Sequence, residues 1–403
     1  MKIVYITCQV PYGRGESFVL DEILAMKEMG VDIIIIPRNP TENTFHGEAF
    51  KMLDQTIRLP LLNWGIFFYF LLTLTIRPRL CFVLISILLR SRSLRIMAKN
   101  LAVVPKSVYV ASLIKKRGVN HIHAHWGSTT ASMAFIMSEL TRIPWSFTVH
   151  RWDIAENNML KQKVQKSAFV RCISEDGSRE VVRIVGTKFL SKIKVLHLGI
   201  PIPDLEVERT KIARNEFIAM CPASFVLIKG HSILIEACGL LYKRGIRDFL
   251  CLLVGEGPLE RTIREQIRRL GLNATVQLLG CIPHDQLMNM FSKGDADVVV
   301  LPSIITKDGE REGIPVALME AMAYGIPVIS TETGGIAELL SDGAGIMVEE
   351  KNAEQLATAL EKIIRNKRFA CELGNKGRKR VNAEFNILSN TRRLLEFMSE
   401  ATE

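Results

Sequence analysis

The 403-residue chain predicts an α/β fold built from two doubly wound domains. Three observations point there. Short apolar runs of strand length alternate with stretches of helical periodicity from the first residue onward. That alternation breaks at Pro201 and Pro203 and restarts near residue 217. The length is also comfortable for two domains, and 48% apolar with 23% charged residues describes a globular chain, not a disordered one.

Residues 1–10 read as a buried first strand. They are too short in apolar core for a secretory signal, and no small-residue cleavage site follows. Residues 11–17 form a glycine-bearing loop with Gly13 and Gly15. A helix over 18–29 ends at Gly30, and the continuous apolar run 31–37 suits a parallel strand covered on both faces. In such domains ligands bind at the carboxyl ends of strands, where the Gly13–Gly15 loop falls. Eight cysteines include no CxxC pair, which points to buried thiols in a reducing cytosol and away from zinc.

Residues 59–117 are basic and apolar together. No Asp or Glu occurs from 55 to 138, while eleven Lys and Arg do, so the net charge of +10 is a local feature. The apolar runs 61–76 and 80–89 are separated by Arg77, Pro78 and Arg79. Neither reaches the roughly twenty residues of a spanning helix. A buried helical hairpin is one expectation. A monotopic surface that dips aromatic side chains into an anionic bilayer is the other. Bulky aliphatics between the bases suit lipid better than nucleic acid, which is not expected as a partner.

His121, His123 and His125 alternate and so share one face of a strand. They suit either a metal or a strand end lining a cleft; no fourth ligand is evident, so no metal is expected. His150 and Asp153 follow in a second strand-end loop. The second half then offers strands at 217–221, 249–254, 275–279 and 297–301. Ser224 and Lys229 lie after the first of these, Gly255 after the second and Ile282 after the third. Asp295 and Asp297 resemble a DxD metal motif, yet they precede a buried Val298–Leu301 run and read as a turn contact. The last part contains an amphipathic helix over 352–365, a basic turn over 376–380 and a final helix over 385–398.

The densest stretch is 308–330. Gly313 permits close backbone approach, and Pro315 suits a first helical turn whose free amides attract an anion such as a phosphate. Glu312 and Glu320 flank the same spot, and carboxylates repel phosphate but accept hydroxyl donors. A diphosphate with hydroxyls on both sides, a nucleotide sugar, satisfies both demands.

Glu312, Gly313, Ile314 and Pro315, with Glu320 following after seven intervening residues and Thr333, Gly334 and Gly335 after the strand, resemble the retaining glycosyltransferases of family 4. The His123-Ala124-His125 and Thr148-Val149-His150 segments resemble the same family. The resemblance implies the GT-B fold, two Rossmann-like domains facing across a cleft. The domains would be 1–202 on the acceptor side, 203–380 binding the donor, and 381–403 as a helix returning to the first. It implies Glu312 on sugar hydroxyls, Glu320 on the ribose, and amides of Gly313 and Ile314 on sugar and diphosphate. Lys229 would face the diphosphate, the Ile282 backbone the base, and His150 the far side of the sugar, making His150, Glu312 and Lys229 the catalytic set. Gly13, Gly15, Ser224, Gly255 and Pro315 complete the donor site, and His123, His125 and Asp153 line the acceptor side. Ser224 stands where the family often has Arg, and Arg151 where it usually has Gly; either another base such as Arg311 or Arg151 replaces the missing cation, or donor binding is weaker. A metal-independent, cofactor-free hexosyltransfer to a lipid-linked saccharide in surface polysaccharide assembly follows, in the cytoplasm at the inner membrane face. Alternatives are a nucleotide-sugar epimerase of the same fold and a non-catalytic nucleotide-sugar-binding membrane protein.

Overall fold

A computed structural model describes residues 1–13, 16–40, 44, 47–204 and 216–402. Gly15 lies outside the described residues. The chain forms two compact units, Met1–Gly199 with Ile387–Glu403, and Ile200–Asn386.

The first unit runs β1 (Lys2–Thr7), α1 (Ser17–Glu28), β2 (Asp32–Pro37), α2 (Trp64–Ile76), α3 (Pro78–Arg90), α4 (Leu94–Ile114), β3 (His121–His125), α5 (Thr129–Thr141), β4 (Trp145–Val149), α6 (Arg151–Glu156), α7 (Leu160–Lys166), β5 (Phe169–Cys172), α8 (Glu175–Val185) and β6 (Ile193–Val195). Its six strands lie in the order β2-β1-β3-β4-β5-β6, and every pair is parallel. Helices cover both faces, which is why Ile3 to Ile6 and Ile33 to Ile36 read as unbroken apolar runs.

Helices α2 and α3 meet at a 105° bend, and neither is long and apolar enough to cross a membrane. Asn63 caps α2 by accepting from the Gly65 and Ile66 amides, and Pro78 starts α3. Leu80, Val83 and Ile87 bring one edge of α3 into the core. The rest is not the buried hairpin that apolarity alone allows. Trp64 is 78% exposed, Phe68 64%, Phe82 71% and Leu89 79%. Apolar runs do not reveal whether protein covers them, so this had to come from the packing. Arg77, Arg90, Arg92 and Arg95 are exposed nearby, but Lys106 is not a surface base. It is fully buried on α4, and its Nζ donates to the carbonyls of Pro37 (2.7 Å), Arg38 (3.0 Å) and Leu59 (2.6 Å).

The second unit runs β7 (Phe217–Pro222), α9 (His231–Lys243), β8 (Phe249–Val254), α10 (Glu260–Arg269), β9 (Val276–Gly280), α11 (His284–Lys293), β10 (Val298–Leu301), α12 (Val316–Ala323), β11 (Val328–Thr331), α13 (Ile336–Leu339), β12 (Ile346–Val348), α14 (Ala353–Arg365) and α15 (Lys367–Glu384). Its parallel order is β12-β11-β10-β7-β8-β9. Strand β12, only three residues long, escapes the sequence pattern. The basic run 376–380 is not a turn; it sits inside α15. Gly374 and Gly377 look like helix breakers but serve close packing: a Cβ at Gly374 would lie 2.1 Å from the Gly325 carbonyl oxygen. The Asp295–Asp297 pair belongs to a strand start, where Asp297 accepts from the Ile218 amide at 2.9 Å.

Phe385 stays in the second unit's core. The last helix, α16 (Ile387–Glu400), belongs to the first unit, where Leu394, Phe397 and Met398 pack with Ile3, Tyr5 and Ile23.

Candidate active site

Two clusters of functional groups gather at strand ends, one in each unit. In the second unit, the loops after β7, β8 and β10 are locked together at main-chain level. Gly230, with φ +67°, caps α9, and a Cβ there would lie 1.9 Å from the Pro302 carbonyl oxygen. Gly255 has no room either, its Cβ position being 2.2 Å from the Ala223 oxygen. The Ile304 amide donates to the Ile228 carbonyl at 2.9 Å, and the Phe225 amide to Glu256 at 2.9 Å. A single turn of tight helix over Leu227–Lys229 then delivers Lys229.

Lys229 Nζ lies 2.7 Å from Glu312 Oε2, and the two side chains keep only 20% and 16% exposure. Ser303 Oγ also faces that carboxylate oxygen, at 3.5 Å. The loop bearing Glu312 is gripped from behind by the two glycines after β11. A Cβ on Gly334 (φ +54°) would lie 1.8 Å from the Glu312 carbonyl oxygen, and one on Gly335 2.5 Å from Ile314 Cγ1. Pro315 caps α12, so the helix-entry amides and their dipole sit beside this loop. Glu320, further along α12, holds His284 Nε2 at 2.7 Å. Ile314 is buried in the core, Ile282 is half-buried and Ser224 is exposed. Arg311 lies in the Glu312 loop with its Cγ near Gly334. Ser303 and His284 carry no recognisable motif, although His284 directly follows the Gly280–Pro283 turn.

In the first unit the three alternating histidines of β3 are all buried. His121 Nε2 and His123 Nδ1 share Ser146 Oγ at 2.7 and 2.8 Å, and His123 Nε2 meets Thr148 Oγ1 at 3.0 Å. His125 Nδ1 meets Tyr5 Oη at 2.9 Å, and its Nε2 meets His150 Nε2 at 2.8 Å. His123 and His125, expected along the acceptor side, therefore have no exposed surface and no uncommitted ring nitrogen. Glu22, His123 and His125 present ligand atoms within 4.8 Å of one another. The Arg171 guanidinium and Tyr5 hydroxyl already occupy Glu22, so the donor set is satisfied by protein groups.

Burial pushes His121 down to about 3 and holds His123 and His125 well below the ordinary imidazole range. His150 is also pushed down to about 3, by burial and then by Arg171. Asp153 is buried and accepts from the His150 amide at 3.0 Å, fixing the start of α6; burial raises it to about 6. Arg151 is committed to Glu180 (3.3 Å) and Asp176 (3.5 Å) in its own unit. Trp126 stacks on His150 with centroids 4.1 Å apart, and its Nε1 donates to Glu16, whose other oxygen accepts from the Gln9 and Val10 amides. Gly13, with φ +82°, lies in that loop. Sequence reasoning missed Tyr5, Glu16, Glu22, Trp126 and Arg171. The signal for two of them was a charge set in an apolar pattern: Glu22 in α1 and Arg171 in β5.

The protein-family model "Glycosyl transferases group 1" matches residues 204–380. The "Putative colanic acid biosynthesis glycosyltransferase WcaL" of Salmonella typhimurium is 36% identical over 204 residues, which are 50% of this chain and 47% of that protein. This chain thus spans about half the length of the WcaL relatives it matches. The "Amylovoran biosynthesis glycosyltransferase AmsK" of Erwinia amylovora is 27% identical over 419 residues, covering 99% of both chains. Among solved structures, Anabaena Alr3699/HepE in complex with UDP superposes with a TM-score of 0.73 at 16% identity, over 99% of this chain and all of that one. A glycosyltransferase from Rickettsia africae gives 0.72 at 19% identity, over 100% and 98%. At those identities the shared property is the fold, and that fold is GT-B.

Proposed function

We propose that this chain, whose residues 204–380 match the group 1 glycosyl transferases, is a retaining glycosyltransferase that moves a hexose from a nucleotide diphosphate sugar to a lipid-linked saccharide in surface polysaccharide assembly. What carries the proposal is the paired arrangement of Glu312 on Lys229 and Glu320 on His284, on either side of the α12 entry. Carboxylates so placed accept sugar and ribose hydroxyls, while Lys229 and the loop amides of Gly313 and Ile314 meet the diphosphate between them. A donor entering this site would take Lys229 from Glu312 onto its leaving phosphate and offer hydroxyls to the freed carboxylate. Arg311, in the same loop, is the proposed stand-in for the arginine absent at Ser224. The base would sit against the Ile282 backbone, and no metal is needed for the leaving group.

His150 is assigned to the far side of the sugar, with Asp153 fixing its loop and the buried His125 holding its ring; His123 stays on the acceptor side of the proposal. No carboxylate is assigned as a covalent nucleophile, so retention would proceed by attack on the leaving-group face. The printed names of the relatives, a putative colanic acid biosynthesis glycosyltransferase and an amylovoran biosynthesis glycosyltransferase, support a place in polysaccharide assembly. The exposed α2–α3 face with Arg77, Arg90, Arg92 and Arg95 supports docking at an anionic inner-membrane surface.

The test supplies UDP, GDP and ADP sugars with lipid-linked saccharides in anionic vesicles and reads the product anomer by NMR. An axial donor should give an axial glycoside, with or without a chelator. An inverted product overturns the retaining mechanism. Free nucleotide released equally without acceptor replaces transfer with epimerisation, and donor binding without turnover leaves only a binding protein.

A further inference from the structure

A continuous line of buried polar groups connects the far edge of the first unit's sheet to His150. Arg171, fully buried on β5, anchors it by donating Nε to the Leu196 carbonyl (2.8 Å), Nη2 to the His197 carbonyl (2.6 Å) and Nη1 to Glu22. The other Glu22 oxygen accepts the Tyr5 hydroxyl, Tyr5 Oη meets His125 Nδ1, and His125 Nε2 meets His150 Nε2.

The direction of each bond follows from proton counting. A carboxylate beside a guanidinium is ionised and accepts only. Tyr5 has one hydroxyl proton, and Glu22 takes it, so Tyr5 Oη can only accept from His125. His125 Nδ1 must then carry a proton, and in a neutral ring its Nε2 is a bare lone pair. Only a protonated His150 Nε2 completes a bond to it. Burial, which holds both rings in their neutral form, is consistent with this.

We infer that Arg171, Glu22, Tyr5 and His125 are positioning residues, a buried relay that fixes the tautomer and ring orientation of His150 with Nε2 protonated. This rests on His150 facing the donor sugar as proposed above. A sugar reaching the ring then meets a hydrogen-bond donor suited to an oxygen lone pair, not a base that removes a proton. The exchange needed is small: Nε2–H leaves the His125 lone pair for the sugar oxygen.

The experiment is long-range nitrogen–proton NMR of the full chain labelled at histidine nitrogen, with His150 assigned by loss of its signals in His150→Gln. Wild type should show His150 as the Nε2–H tautomer. Tyr5→Phe, which removes the oxygen that orders His125, should give a mixture of tautomers at His150 and lower kcat about 10-fold or more with KM for the donor within about twofold. Ser146→Ala cuts the neighbouring His121 and His123 bonds but not the relay, and should leave the His150 spectrum unchanged. A wild-type His150 protonated at Nδ1 or at both nitrogens overturns the inference even if Tyr5→Phe fails to fold. So does a Tyr5→Phe spectrum identical to wild type, or a Ser146→Ala spectrum altered as much as that of Tyr5→Phe. The spectra need no donor, so an intact relay in a protein without transfer activity would count against the proposed function and not against the relay.

Discussion

Gly334→Ala tests whether the grip on the Glu312 loop is what makes the donor site. Two costs arise. An alanine at φ +54° pays the left-handed penalty of roughly 1–2 kcal/mol. Its Cβ would also lie 1.8 Å from the Glu312 carbonyl oxygen, where real Cβ atoms stay beyond 3.0 Å, so the loop must retreat by more than about 1 Å. Overpacking of that kind costs a further 1–3 kcal/mol or so. Gly245→Ala is the matched control: the same unit, φ +82°, nothing within 4 Å, and so roughly 1 kcal/mol from backbone alone. Calorimetric melting should show a drop of roughly 5–15 °C in the second unit's transition for Gly334→Ala and about 2–4 °C for Gly245→Ala. Transfer at a permissive temperature should fall about 100-fold in the first variant only, since a 1 Å misplacement of a binding loop is enough. Equal melting shifts and equal turnover in the two variants would refute the reasoning.

Lys229→Ala removes the cation held at 2.7 Å from Glu312, and with Ser224 in place of an arginine its loss should cut kcat about 100- to 1,000-fold; steady-state kinetics showing unchanged turnover would refute its role. Phe68→Glu with Leu72→Glu, both on the exposed face of α2, should weaken partitioning to anionic vesicles about 30-fold per position, at roughly 2 kcal/mol each, without changing the melting temperature. Cosedimentation equal to wild type would remove membrane docking. His121, His123 and His125 have folded-state values below the roughly 6.5 of an unfolded histidine. Their stabilisation is therefore complete above pH 6.5 and is lost as pH falls, by up to about 1.4 kcal/mol per pH unit for each ring. Asp153, raised to about 6, offsets part of this by keeping a proton in the folded state between its ordinary value and 6. Urea midpoints should fall between pH 6.5 and 5, and a flat profile would contradict the buried neutral trio.

The double alternation of strand and helix was plain in the chain because parallel strands covered on both faces leave uninterrupted runs such as Ile33 to Ile36 and Val298 to Leu301. The His121–His125 alternation was plain because a period of two fixes one face of a strand, and the Glu312–Glu320 spacing because both residues lie in one short loop-and-helix segment. What escaped depends on partners distant in sequence. Lys229 and Glu312 are 83 residues apart, Arg171 and Glu22 149 apart, and no local period couples them. Helix α15 hid behind Gly374 and Gly377, whose lack of a side chain serves approach to Gly325 and Ala344 and not a turn. The fate of Lys106 was invisible as well, because three backbone carbonyls from two distant segments, Pro37–Arg38 and Leu59, hold it.

The most direct measurement is titration calorimetry of UDP, GDP and ADP, each bare and as its nucleotide sugar, against wild type, Glu312→Gln and Glu320→Gln. If paired carboxylates hold hydroxyls on both sides of a diphosphate, one nucleotide class binds the wild type. Glu320→Gln should then weaken it about 10- to 100-fold, through lost charge-assisted bonds to the ribose, for nucleotide and nucleotide sugar alike. Glu312→Gln should weaken only the sugar-bearing form. Absence of binding by all three classes, or affinities unmoved by either substitution, would contradict it.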